Sequence, residues 1–272
     1  MNPIQLKILD LFQGLYRMLG VNYPQLRAIV SIKLAMDNRR QLISYRKKDN
    51  QQPESTFLWT MFFYTLFGGF VALALYGIPS FVLGMVMFFS YIMVMIAMTL
   101  ITDFSSILLD TSDNTIILPR PVDGRTLLAS RITHIFLYLG QITIGLSVFP
   151  ALVVLLKYGG IVLILFLIAT ALSVIMSLVI TNALYLLILQ FASEEKLKNV
   201  INYFQIVMAV FIMGAYQILP RLVGRLDAQE YNFEITGWSF IAPPVWMAAS
   251  LESYYFNIFD FPHLALVACA LF

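Results

Sequence analysis

The feature that most constrains this chain is a set of apolar runs too long for the core of a soluble domain. Five of them, at about 57–76, 79–101, 132–156, 161–191 and 200–219, are each long enough as helices to cross roughly 30 Å of hydrocarbon. The runs are continuous rather than alternating every second residue, which excludes the strands of a membrane β-barrel. With 60% hydrophobic and 12% charged residues, the 272-residue chain carries more apolar surface than one soluble domain buries, so lipid must solvate part of it. The expected fold is all-α: a polytopic transmembrane helical bundle preceded by an interfacial amphipathic helix. A sixth run begins near Pro262 and stops at Phe272, short of the roughly 20 residues a span needs, so the reading expects a piece of a longer protein.

Two regions follow from this pattern. Residues 1–56 are amphipathic and basic; residues 57–272 are the membrane domain. Over residues 2–20, Ile4, Ile8, Phe12, Leu15, Tyr16 and Leu19 recur at helical spacing opposite Lys7, Asp10, Gln13 and Arg17, the pattern of a helix lying along a bilayer surface. Asn22-Tyr23-Pro24 breaks it, with Pro24 suited to the first turn of a second helix that carries Leu26, Ile29, Val30 and Ile32. The basic residues Arg39, Arg40, Arg46, Lys47 and Lys48 fit anionic lipid headgroups and a topology signal, and not nucleic acid. Tyr76-Gly77-Ile78-Pro79 and Lys157-Tyr158-Gly159-Gly160 read as tight turns that pair the first four spans into two hairpins.

Lysine and arginine sort by side. The N-terminal region and the loops at 103–131 and 194–199 hold most of them, whereas the opposite side has only Lys157, Arg221 and Arg225. By the positive-inside rule the N-terminus and both loops face the cytoplasm of a multi-pass protein of the cell membrane. Residues 221–260 are then outside; Trp238, Pro243-Pro244, Trp246 and Glu252 mark them as interfacial pieces over the end of the bundle.

Ala169, Ser173, Ser177 and Thr181 stand four apart on one helical face. Small faces of this kind let helices approach closely; a polar lining for a substrate path, joined by Asn202 and Gln205, is the second reading. No charged residue lies in the middle of a span, and there is no phosphate loop, no His-Glu-x-x-His and no Gly-x-Ser-x-Gly. His134 and His263 read as interfacial or packing residues, the methionines at 85–98 as flexible filler, and the single Cys269 gives no disulfide or thiolate metal site. No catalytic, cofactor or metal site is expected in this chain.

The longest polar break, 103–131, includes Asp110, Asp113, Asn114, Leu118-Pro119-Arg120-Pro121, Asp123-Gly124 and Arg125. Two prolines stiffen it, Asp123-Gly124 can start the next helix, and the charges offer directional contacts. This loop resembles the cytoplasmic coupling loop of type-2 ABC exporter permeases (the ABC-2 type). Ile241-Ala242-Pro243-Pro244-Val245-Trp246 is similar to that family's Pro-Pro-x-Trp element before the last span. The resemblance implies a permease subunit at 57–272 whose coupling loop docks on a separate ATPase subunit that binds the ATP. It also implies a homodimer or a pseudo-dimer with a second permease half. The substrate class, whether lipid, peptide or drug-like molecule, stays open, as do a membrane-embedded enzyme and a non-transporting scaffold.

Overall fold

A computed structural model of the protein describes residues 3–39, 55–109, 123–191 and 237–271, together with Tyr203, Ile206, Val207 and Val210. The described residues are helical throughout, with no strand among them. The elements are α1 (Pro3–Leu11), α2 (Gln13–Met18), α3 (Tyr23–Arg39), α4 (Ser55–Gly77), α5 (Phe81–Leu109), α6 (Gly124–Tyr158), α7 (Gly160–Phe191), a 3-10 turn at Gly237–Phe240, α8 (Pro243–Tyr255) and α9 (Phe261–Leu271).

Among the described residues, three helical stretches are long and apolar enough to cross a membrane: Phe81–Ile101, Gly124–Tyr158 and Gly160–Leu184. Their outward faces carry large apolar side chains such as Ile144, Ile164 and Val179, which suits lipid as their solvent. The protein is a helical membrane protein. The run expected at 57–76 forms α4, of which Met61–Gly77 is a shorter apolar helix. The run at 200–219 lies outside the described residues apart from Tyr203, Ile206, Val207 and Val210, which are helical and exposed. Both expected turns are present. Residues 78–80 join α4 to α5, and Gly159 alone, at φ 89°, joins α6 to α7, a conformation open to glycine without a Cβ penalty.

The chain forms two compact units. The first comprises residues 1–66 and 110–145, the second residues 67–109 and 146–272. In the first, Leu6, Leu9, Val21, Tyr23, Leu26, Val30 and Leu34 make a buried core, with Tyr16, Ala129 and Leu137 packed against it. Asn22 opens α3 as expected: its carbonyl accepts the Leu26 N–H at 2.9 Å, and Pro24 sits in the first turn. The amphipathic segment differs from its expected form. Pro3–Leu11 and Gln13–Met18 are two helices broken at Phe12, with Leu6 and Leu9 buried. Ile8, Leu11, Phe12, Leu15, Met18 and Leu19 are left exposed.

In the second unit α5 packs on α7, and α8 packs on α5, α7 and α9. Phe88, Phe89 and Phe166, each 0% exposed, meet with ring centroids 4.6–5.9 Å apart at the α5–α7 contact. Burying aromatic rings this completely gives the largest apolar contribution of any side-chain class. Residues 221–260 were expected as interfacial pieces over the end of the bundle; in their described part α8 buries Val245, Met247, Ala248, Ala249, Leu251, Glu252 and Ser253, so most of its surface is enclosed by its neighbours.

Candidate functional site

The expected coupling loop meets the structure at its exit. Asp110, Asp113, Asn114, Leu118, Pro119, Arg120 and Pro121 lie outside the described residues. Asp123 and Arg125 begin α6 and are exposed, and the Asp123 carbonyl accepts the Leu127 N–H at 3.0 Å. The aspartate therefore starts the helix as the sequence suggested. Past this point one face of α6 is polar and buried: Thr126 and Ser130 are 0% exposed and Thr133 is 6% exposed.

Thr126 and Thr133 hold the N-terminal helices, while the Ser130 hydroxyl donates to the Leu127 carbonyl of α6 itself. Thr126 Oγ1 accepts the Asn22 N–H at 3.1 Å, Thr133 Oγ1 and the Tyr16 hydroxyl are 2.8 Å apart, and Gln5 Nε2 donates to Gln141 Oε1 at 2.6 Å. The contacts fall at 126, 133 and 141, so α1–α3 are fastened along about four turns of α6. The turn between α2 and α3 permits this approach, since Gly20 adopts φ 72° and a Cβ there would stand 3.8 Å from the Arg125 guanidinium. On the far side, Asp10 accepts hydrogen bonds from Tyr23 and from Arg27, the latter at 2.9 Å. The Arg27 guanidinium and then the Tyr23 hydroxyl hold the Asp10 carboxyl below its usual range. Burial, followed by the bond to Asp10, pushes the Tyr23 phenol up to about 12. Sequence reasoning placed Asp10 on a solvated face and did not pair it; no spacing rule links residues separated by a helix break.

The small-residue face of α7 lies in a packed seam. Ser173, Ser177 and Thr181 are 0%, 3% and 4% exposed. Ser173 bonds its own Ala169 carbonyl at 2.8 Å, and Ser177 donates across to the Met93 carbonyl of α5 at 2.9 Å. Asn202 and Gln205 lie outside the described residues.

Two groupings in the second unit were not legible as pairs. Lys157 Nζ donates to the carbonyls of Leu75, Tyr76 and Ile78 at 3.4, 2.9 and 3.4 Å, capping the end of α4 where the helix dipole favours a cation. It also lies over the Tyr76 and Tyr158 rings. Beside it, Phe81 stacks on Tyr255 at 4.9 Å and meets Tyr158 edge-on at 4.8 Å. The second grouping is Glu252 on α8 with His263 on α9, whose Oε2 and Nε2 are 3.5 Å apart. Among the described residues no group of three or more His, Cys, Asp and Glu side chains is placed to hold a metal ion.

Among the described residues the start of α6 is thus gripped by the N-terminal helices, and α8 pairs with α9 and packs on α5 and α7. No protein-family model, curated protein or solved structure matches the chain.

Proposed function

We propose that the chain is the membrane-spanning permease subunit of an ATP-driven exporter of the ABC-2 type, with ATP hydrolysed on a separate subunit. The observation that supports this most is the build of the loop's exit. A docking loop transmits force only when it leads into a stiff element, and the segment before Asp123 leads into α6, a helix of 35 residues that carries Pro150 in its later half. Its first turns are braced by the hydrogen bonds from Asn22, Tyr16 and Gln5. Asp123 and Arg125 are exposed where the helix begins, available to a partner's complementary charges. Asp110, Asp113, Asn114, Leu118, Pro119, Arg120 and Pro121 form the rest of the proposed docking surface, and the N-terminus faces the cytoplasm. A second permease half, as a homodimer or pseudo-dimer, completes the pathway. The exposed apolar row from Ile8 to Leu19 lies along the membrane surface.

The test is coupling in proteoliposomes that hold the full-length protein and its ATPase. Replacing Pro119 and Pro121 by glycine loosens the loop and lowers transport per ATP hydrolysed while assembly persists. Unchanged coupling in that variant makes the loop a plain connector.

A further inference from the structure

The α8–α9 hairpin encloses an ionisable pair that the exporter reading does not use. The hairpin is tightly specified. The Phe256 and Ile258 N–H groups bond the Glu252 and Ser253 carbonyls at 2.9 and 3.1 Å, and Asn257 takes the left-handed conformation at φ 54° that ends a helix. The Asp260 carbonyl accepts from Leu264, and Pro262 occupies the first turn of α9. This geometry turns Glu252 and His263 toward each other with side-chain exposures of 11% and 13%. Among the described residues, neither Glu252 Oε2 nor His263 Nδ1 has a hydrogen-bond partner.

Two charges in such a place are costly, because an enclosed ion pair offsets its lost hydration only when its remaining donors and acceptors are satisfied. The elements around the pair do not supply compensating charge. Among described side chains α5 and α7 bring no Asp, Glu, Lys, Arg or His; α5 brings Tyr91, α9 brings Cys269, and α8 itself brings Tyr254 and Tyr255, with Asp260 in the turn. Lys157, near Tyr255, is held by the α4 carbonyls. Burial raises the Glu252 carboxyl above the usual carboxylate range, with His263 opposing the rise.

We propose that Glu252 and His263 form a one-proton site that locks the α8–α9 hairpin onto α5 and α7. With one proton the pair is net neutral on either atom. Loss of that proton leaves an enclosed carboxylate beside a neutral imidazole; gain of a second leaves an enclosed imidazolium beside a neutral carboxyl. Either state carries a net charge that water would solvate better, so the hairpin loosens on both sides of an intermediate pH. The lock does not depend on the exporter reading.

Hydrogen exchange of the 243–255 backbone tests this in the full-length protein in lipid nanodiscs, corrected for the intrinsic pH dependence of exchange. The expected profile is a minimum in opening with two limbs, each rising at most about tenfold per pH unit, the slope of a one-proton linkage. Glu252→Gln removes the alkaline limb and keeps the acid one, whereas His263→Gln removes the acid limb and keeps the alkaline one. If Glu252→Gln does not fold, His263→Gln still separates the limbs. A flat wild-type profile, or limbs that survive the substitution assigned to them, overturns the proposal.

Discussion

The two compact units are held together by different chemistry. In the first, the N-terminal helices reach α6 through Tyr16–Thr133, Asn22–Thr126 and Gln5–Gln141 over a modest core around Leu26. In the second, α5 and α7 meet through Phe88, Phe89 and Phe166, and the Ser177 hydroxyl donates across that contact to the Met93 carbonyl. Lipid tails are about as apolar as the side chains at the α5–α7 contact, so association between helices that face lipid rests on close packing and a few polar ties. Polar bonds fix register in the first unit; shape fixes it in the second.

Truncations break this comparison most forcefully. Phe166→Ala leaves a cavity at the α5–α7 contact and should cost about 3–5 kcal/mol, and Leu26→Ala in the first unit about 2–5 kcal/mol. Unfolding in mixed micelles, followed separately by limited proteolysis of each unit, should show each loss in its own unit. Loss of both units together in both variants would erase the distinction. A smaller effect is expected at Gly145, where a Cβ would stand 3.0 Å from Tyr64 Cβ. Gly145→Leu forces α4 from α6 at about 1–3 kcal/mol, and Gly145→Ala should be milder in the same unfolding measurement.

Hydrogen-bond cycles sharpen the contrast further. Tyr16→Phe combined with Thr133→Ala should give a coupling of about 1 kcal/mol. Ser177→Ala should cost about 0.6 kcal/mol, the mean for membrane-interior bonds. Equal values in both units would mean that polar bonds count no more in the first than in the second. The smallest expected effect is a pH dependence of the Asp10–Arg27–Tyr23 cluster. Because the Asp10 carboxyl is held below its usual range, its contribution is present above that range and is lost as pH falls through the depressed value. Asp10→Asn should remove that acid-side slope from an unfolding titration, and Tyr23→Phe should reduce it.

Much of the fold was legible because hydrophobic length and turn chemistry are local. The apolar runs read at 79–101, 132–156 and 161–191 reappear in α5, α6 and α7, and the turns at Gly77 and Gly159 follow from glycine beside a run's end. The N-terminal segment was half legible. Its apolar periodicity was visible, but which apolar residues would be buried depended on the break at Phe12 and on a partner, α6, more than a hundred residues away. The pairing across the α8–α9 turn was not legible, for a physical reason. Glu252 and two prolines read as surface because a lone carboxylate is costly to enclose, yet His263 lies eleven positions on, across a turn set by Asn257. The loop-exit residues Asp123 and Arg125 were placed correctly at a helix start, and the serines of α7 by their four-residue spacing. The hydroxyl ladder of Thr126, Ser130 and Thr133 was missed; its spacing of four and three is itself a helical-face signal.

The exporter account rests on a partner that the chain does not contain, so its most direct test is whether that partner binds. The full-length protein, purified in mild detergent from its own cells, should carry an ATP-binding subunit in stoichiometric amount. Arg120→Glu combined with Arg125→Glu should release that subunit while expression holds, because like charges across a docking surface disfavour binding. A protein that purifies without any ATP-binding subunit, or one whose partner stays bound after both charge reversals, would contradict the account.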